Sequence, residues 1–197
     1  MHDLGRNEDR LRGTYEFPFE FHHIDSSHPR YVMSYHWHVE CEIMRVLQGT
    51  LTVTLDEKSF TAKAGDVIFV NSGVLHSGIP QDCIYQCIVF DMNMFLKFNS
   101  VCTEYMQKIS HQELLIYHHF TEKQPDIQRA ANSLFDSFWQ RKPGYELVVF
   151  GQFYHFFGLV FGNHYYLESL RKTRRDYKRI VQLKQVVEFI EKNYASP

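Results

Sequence analysis

The sequence predicts an α+β protein that is mainly β, built as an antiparallel jelly-roll barrel with helices after it. Between residues 15 and 90, short apolar runs alternate with turn residues at regular spacing, a pattern typical of such barrels. From Asp91 onward the apolar residues recur at helical spacing instead. The chain has 197 residues, of which 44% are hydrophobic and 22% charged, so it is long and apolar enough to bury a core.

The barrel is predicted to begin in a strand at residues 15–23, where Phe17, Phe19 and Phe21 alternate with other residues. Residues 1–14 before it are polar and charged, and we expect them to form a mobile arm. This segment lacks the apolar core of a signal peptide, and the four cysteines lack metal-type or redox spacing. Both observations favour free thiols in a reducing cytoplasm.

The middle of the barrel is predicted from its turns and apolar runs. Gly49 is expected to be a turn, followed at residues 51–55 by a half-buried strand in which apolar residues alternate with threonine. Residues 67–70 form a continuous apolar run, typical of a strand buried on both faces, and residues 83–90 form another strand. In total we expect about seven or eight short strands between residues 15 and 90.

The stretch at residues 34–49, SYHWHVECEIMRVLQG, carries the polar groups of most chemical interest. His36, His38 and Glu42 are all even-numbered, so a single strand would direct their side chains to one face. Met44 continues this row and is expected to form an apolar floor. The pattern therefore predicts a polar pocket inside the barrel.

A second stretch at residues 65–76, GDVIFVNSGVLH, adds His76 to this group. Three imidazoles and one carboxylate can bind a divalent metal such as Zn, Ni, Mn or Fe. The same groups can instead hold a small ligand through hydrogen bonds, or serve as structural residues at the mouth of the barrel. The sequence leaves these three interpretations open.

Helical periodicity defines four segments in the second half: 94–98, 102–110, 127–139 and 145–166. We expect them to flank the barrel. The last two are richer in apolar residues than one barrel-facing stripe requires, which predicts a homodimer surface. Burial of these helices within their own subunit is the competing interpretation.

The charge and hydropathy of the whole chain exclude some classes of partner. A net charge of −2 gives no overall attraction to nucleic acid. The longest apolar run, Tyr145–Phe161, is interrupted by polar residues and is shorter than the roughly 20 residues of a membrane helix. No membrane association is expected.

The last part of the chain differs from the rest. Residues 171–179 contain six basic residues in nine, which favours a solvated connector over a phosphate-binding patch. After them, Ile180, Leu183, Val187 and Ile190 recur at helical spacing before the chain stops at residue 197. Since this apolar stripe needs something to pack against, we expect the sequence to be part of a longer protein.

Two motifs resemble those of the cupins. The first is His36-x-His38-x3-Glu42-x6-Gly49, and the second is Gly65-x5-Asn71-x-Gly73-x2-His76, with Asn71 where cupins usually have proline. A cupin barrel followed by helices and then by RIVQLKQVVEFIEKNYASP is similar to the AraC-type (AraC/XylS) transcriptional regulators. The final segment resembles the opening helix of their helix-turn-helix DNA-binding domain.

This resemblance implies that each part of the chain has its own role and that none of them is enzymatic. Residues 1–14 would be the N-terminal arm, 15–98 a cupin-like double-stranded β-helix that binds a small effector, commonly a sugar or other metabolite, and 99–170 a helical dimerisation subdomain. Residues 171–197 would be a basic linker and the first helix of the DNA-binding domain, the remainder of which lies outside this sequence. His36, His38, Glu42, Met44 and His76 would line the effector site.

A second function is consistent with the same motifs. Cupins also include metal-dependent isomerases and oxygenases, and His36, His38, Glu42 and His76 could leave open coordination positions for a substrate. The apolar helix without a packing partner at the end of the chain favours the regulator.

Overall fold

The computed structural model describes residues 6–7, 12–97, 101–169 and 186. Its main elements, in chain order, are β1 (Arg6–Asn7), β2 (Phe19–Ile24), β3 (Met33–Trp37), β4 (Cys41–Leu55), β5 (Lys58–Lys63), β6 (Val67–Val70), β7 (His76–Phe90), a 3-10 helix (Met92–Leu96), α1 (Thr103–Ser110), β8 (Leu114–Ile116), β9 (His119–Phe120), α2 (Pro125–Gln140), α3 (Tyr145–Gly162) and β10 (Tyr166–Glu168). The predicted class, a mainly β domain with helices on its C-terminal side, is confirmed. The predicted basic linker and final helix lie outside the described residues, apart from the helical residue 186.

The barrel is organised around β4 and β7, which pair antiparallel over nearly their whole lengths, from Cys41 opposite Phe90 to Leu55 opposite His76. The other strands add to these two, giving the sheet order β1-β3-β7-β4-β6-β9, with β2 also on β7 and β5 also on β4. Each long strand therefore has different neighbours along its two halves, so the sheet can curve around an interior.

Gly49 lies inside β4 and not in the predicted turn. The register between β4 and β7 shifts between Val46 and Gln48 and again between Gln48 and Thr50, which marks a bulge. Gly49 has a φ of +67°, and a Cβ at this position would lie 2.2 Å from the carbonyl oxygen of Asp82. Glycine thus lets β4 bend without ending, and residues 15–90 contain six strands where the sequence predicted seven or eight.

Other strand predictions are confirmed with adjusted bounds. In the second half of β4, Leu51, Val53 and Leu55 are buried while the intervening threonines are partly exposed, and all of β6 is buried. The first barrel strand begins at Phe19 and not at Tyr15.

Two apolar clusters lie on opposite faces of the sheet. The inner one fills the barrel with residues such as Met44, Val53 and Tyr85. The outer one joins Ile43 and Phe90 to the helices and contains most of the phenylalanines. The alternation of Ile43 outward and Met44 inward shows how β4 separates the pocket side from the helical layer.

The helices are confirmed in type, with corrections at their ends. Residues 92–96 form a 3-10 helix, and α3 ends at Gly162, four residues before the predicted end. The chain then forms β10, which pairs with β8. None of the helices in the described part of the chain combines the length and apolar character needed to cross a bilayer.

Candidate functional site

The structure brings the four predicted polar side chains together. His36, His38, Glu42 and His76 each offer one nitrogen or oxygen atom, and these atoms all lie within 4.8 Å of one another. The stretch at residues 34–49 is nevertheless two strands and not one, since β3 ends at Trp37 and β4 begins at Cys41. The break at residues 38–40 turns the chain, so the group forms across a corner.

Three strands and this corner position the group. His36 near the end of β3 is the register partner of His76 at the start of β7, and their ring centroids are 4.1 Å apart. His38 lies in the break, and Glu42 is the second residue of β4. His38, Glu42 and His76 are almost completely buried, while His36 is half-buried.

The tautomer of each imidazole follows from a backbone carbonyl. The Nδ1 atoms of His36, His38 and His76 lie 2.9, 3.1 and 2.9 Å from the carbonyl oxygens of residues 34, 40 and 74. A carbonyl oxygen only accepts hydrogen bonds, so each Nδ1 carries the hydrogen. Since a neutral imidazole has one N–H group, each Nε2 then holds a lone pair.

Two of these Nε2 atoms face the same carboxylate oxygen. Glu42 Oε2 is 3.3 Å from His38 Nε2 and 3.2 Å from His76 Nε2. Burial raises the pKa of Glu42, whereas hydrogen bonds and positive charge from His38 and His76, when these rings are protonated, lower it well below the usual 4.5. With neutral imidazoles, the two Nε2 lone pairs would face this carboxylate as acceptor against acceptor, so the group needs protons or a metal ion between them.

Two kinds of cation satisfy this arrangement. Protons on both Nε2 atoms would make two buried imidazolium ions, whose desolvation is costly. A divalent metal would accept the three Nε2 lone pairs and the carboxylate at once, and its ligands would keep the Nδ1 hydrogen bonds that commonly orient metal-bound histidines. The donor set, three nitrogens and one carboxylate, suits Zn, Ni, Mn or Fe.

A cavity of about 370 Å³ adjoins this group. His36, His38 and Glu42 line it. Met44, the predicted floor, is fully buried in the inner apolar cluster and is not among the lining residues, whereas its register partner Cys87 is. The volume is near the lower end for ligand pockets and suits a small molecule.

The sequence did not predict Arg12 in this wall. It belongs to the segment assigned to the arm, yet its side chain is 2% exposed and its Nη1 lies 2.7 Å from Glu20 Oε2 on β2. His22 and Tyr85 also line the cavity. Arg12 is one of three arginines within this polar segment and shows no periodic pattern, so only the folded path of the chain reveals its place in the cavity wall.

The face of α3 away from the barrel is open among the described residues. Phe153, Phe156 and Phe157 are buried toward the barrel, but Leu147 is 80% and Val148 48% exposed. A Cβ built on Gly151 or Gly158 would meet no atom of the described chain within 4 Å. The helix thus has one buried aromatic side and one exposed side with few charges.

Comparison with protein families gives a broad match. A model of the family described as AraC-like ligand binding domain matches residues 18–155, well over half of the chain. An uncharacterised HTH-type transcriptional regulator, YdeC of Bacillus subtilis (strain 168), is 34% identical over 56 residues, which is 27% of this chain and 19% of that protein. The match thus spans about a fifth of that curated relative.

Two of the solved structures that match overlap this chain over about a third of its length. Bacillus subtilis oxalate decarboxylase is 25% identical over 30% of this chain and 18% of its own, with a TM-score of 0.28. A Streptococcus pyogenes protein of unknown function, SPY1581, is 15% identical over 37% of this chain and 62% of its own, with a TM-score of 0.32. Overlaps of this size bear neither on activity nor on metal content.

Proposed function

We propose that this chain, which belongs to the family of AraC-like ligand binding domains, is the effector-sensing part of a bacterial AraC-type transcription regulator that works in the cytoplasm. The observation that carries the proposal is the cavity beside His36, His38, Glu42 and His76, in a chain of this family. A small polar metabolite, a class that includes sugars, would bind there. The role is sensing and not catalysis.

Effector binding is tested by titrating a metabolite library into the whole chain with calorimetry. The wild type should bind a metabolite at one molecule per chain, and His38→Asn should weaken that binding because His38 lines the cavity. His111→Gln is the matched control, since His111 lies outside the cavity. If the wild type and both variants bound the metabolite equally well, the effector would bind outside this cavity.

We propose further that His36, His38, Glu42 and His76 hold a divalent metal in this pocket. Its support is the set of Nδ1 hydrogen bonds, which leaves the Nε2 lone pairs of His38 and His76 directed at the carboxylate of Glu42. A bound metal would supply a Lewis-acid contact for an oxygen atom of the effector. Elemental analysis of protein purified without added metal tests this, and a content far below one ion per chain would count against it.

The N-terminal arm, residues 1–14, is proposed as a part that responds to the effector. β1 pairs in parallel with β3, with Arg6 opposite His36 and Asn7 opposite Trp37. The arm thus contacts the strand that carries a pocket histidine. Hydrogen exchange should show a change in protection at residues 6–7 when the metabolite found by calorimetry is added, and unchanged exchange would oppose this role.

Dimerisation is proposed for the helical subdomain, residues 99–170, through α2 and α3. The exposed Leu147 and Val148 support it. Leu147→Glu with Val148→Glu should convert a dimer into a monomer in sedimentation, whereas Ile79→Glu, at an exposed site on the barrel, should not. A wild-type monomer at micromolar concentration would refute the proposal.

DNA recognition is proposed for a helix-turn-helix domain that residues 171–197 would lead into, as a basic linker and first helix. Effector binding would favour one arrangement of the two subunits and so change how their DNA-binding domains are presented. In the complete protein, operator affinity should therefore change when the effector is added. Unchanged operator affinity would mean that ligand binding does not regulate DNA binding.

A metal-dependent cupin enzyme is a second candidate. The observation that favours it is that three of the four metal-type side chains line an open cavity. If the chain were an enzyme, metal-loaded protein would convert its bound metabolite, and product would appear by mass spectrometry. Recovery of the metabolite unchanged supports the sensor.

A further inference from the structure

The loop between β6 and β7, residues 71–75, contacts two of the four polar residues of the site through its backbone. The amide of Gly73 donates to the carbonyl oxygen of His38 at 2.9 Å. The carbonyl oxygen of Val74 accepts from His76 Nδ1, also at 2.9 Å. A shift of His38 or His76 therefore displaces this loop unless these hydrogen bonds break.

The first residue of the loop, Asn71, is bound to β8 by both groups of its side-chain amide. Its Nδ2 donates to the carbonyl oxygen of Ile116 at 2.8 Å, and its Oδ1 accepts from the amide of Ile116 at 3.0 Å. Asn71 is 3% exposed, so breaking this pair would leave buried polar groups without partners. Proline, the usual residue of the cupin motif here, could form neither bond. When the loop moves, β8 should therefore move with it.

β8 in turn pairs with β10, the last strand of the described chain. Ile116, the residue bound by Asn71, is the antiparallel register partner of Tyr166. The amide of Ser169, just after β10, donates to the carbonyl oxygen of Glu113 at 2.8 Å, which extends the pairing by one residue. The basic segment at residues 171–179 follows directly in the sequence.

We infer that Asn71 is a positioning residue that couples the site to β10. A change at His38 or His76 moves the loop, Asn71 carries β8 with it, and β8 shifts the strand from which the chain continues to the basic segment. This inference rests on the proposed sensing function and specifies the contact through which the same site would act on the rest of a regulator.

A neighbouring contact provides a matched control. His118 Nδ1 donates to the carbonyl oxygen of Phe69, and the amide of Phe69 donates to the carbonyl oxygen of His118, both at 3.0 Å. This contact joins the segment after β8 to β6, two residues before the loop begins. Loss of the His118 side chain thus weakens the same region without removing the pair formed by Asn71.

The test is a double-mutant cycle followed by hydrogen exchange of the whole chain with no ligand added. His38→Ala perturbs the site, Asn71→Ala removes the amide pair, and the protection of the β10 amides, residues 166–168, is measured. In the wild-type background, His38→Ala should change this protection by at least about threefold. In the Asn71→Ala background it should have no effect, whereas in the His118→Ala background its effect should persist.

Exchange elsewhere in the chain distinguishes coupling from a general loss of stability. The response to His38→Ala should reach β8 and β10 but leave the amides of β5, residues 58–63, unchanged. Circular dichroism confirms that each variant is folded. If an alanine variant failed to fold, His76→Ala would replace His38→Ala, and Asn71→Ser, which lacks a second polar atom to complete the pair, would replace Asn71→Ala.

The outcomes separate the inference from the proposed function. Protection of β10 that does not respond to His38→Ala, or that responds equally with and without Asn71→Ala, would overturn the role of Asn71. Loss of the response in the His118→Ala background as well would do the same. Because the cycle contains no effector, a failure of the cavity to bind any metabolite would appear only in the calorimetric titration and would leave the measured coupling intact.

Discussion

Replacing Glu42 by glutamine removes the negative charge from the centre of the histidine group while keeping the shape of the side chain. If a divalent metal is held there, the wild type at a metal concentration of about 100 times the dissociation constant gains about 2.7 kcal/mol in its free energy of unfolding. For a chain of this size, that gain corresponds to a rise in Tm of roughly 5–11 °C.

The variant should lose most of this gain. Loss of a carboxylate ligand should weaken metal binding by at least about 100-fold, the upper end of what changes near a metal cost. At the same metal concentration, only about 0.4 kcal/mol of stabilisation would remain, or roughly 1 °C. His111→Gln, outside the group, should retain the full wild-type response.

The assay is thermal unfolding followed by circular dichroism, on protein stripped with a chelator and then supplied with Zn²⁺, Mn²⁺ or Ni²⁺. The metal-free variant should melt close to the metal-free wild type, because the glutamine amide can donate a hydrogen bond to a neutral imidazole Nε2. If Glu42→Gln gained as much in Tm as the wild type, or if the wild type gained nothing from any ion, the reasoning from the tautomers would be refuted.

Three other predictions concern the folded structure around the site. Gly49→Ala should lower the free energy of unfolding in urea by about 1–3 kcal/mol, because φ is +67° and the new Cβ would collide with Asp82; an unchanged midpoint would contradict the bulge. Arg45→Met should cost about 1–3 kcal/mol and increase hydrogen exchange in α2, because Arg45 donates at 2.8 Å to Gln86 and to Asp136, although Asp136 is largely exposed. Iodoacetamide at pH 8 should label Cys102 before Cys41, since burial raises the pKa of Cys41 to about 12 and keeps its thiol protonated; earlier labelling of Cys41 would show that the outer core opens.

The alternation of apolar residues was sufficient to predict much of the fold. Strand periodicity located the second half of β4 and all of β6, and helical periodicity located α2 and α3, because each of these elements packs one regular face or row against a core. The convergence of the site residues was also predicted, although for a partly wrong reason. Even numbering along one strand implied a shared face, whereas the structure brings them together across a corner at residues 38–40.

What the sequence could not predict depends on long-range contacts. Gly49 looks like a turn locally, and only the approach of Asp82 shows that it is a bulge. The short strands β8, β9 and β10 have too few residues for any period to be detected. Arg12 belongs to the cavity through its pairing with Glu20, eight residues away.

The central claim is that the barrel binds a small molecule in the cavity beside the histidine group. Native mass spectrometry of the whole chain, mixed with a metabolite library, tests it most directly when the wild type is compared with Cys87→Phe, in which a larger side chain fills part of the cavity. The wild type should retain one metabolite per chain, and the folded variant should retain none. Retention of the same metabolite by both proteins, or by neither, would contradict the claim.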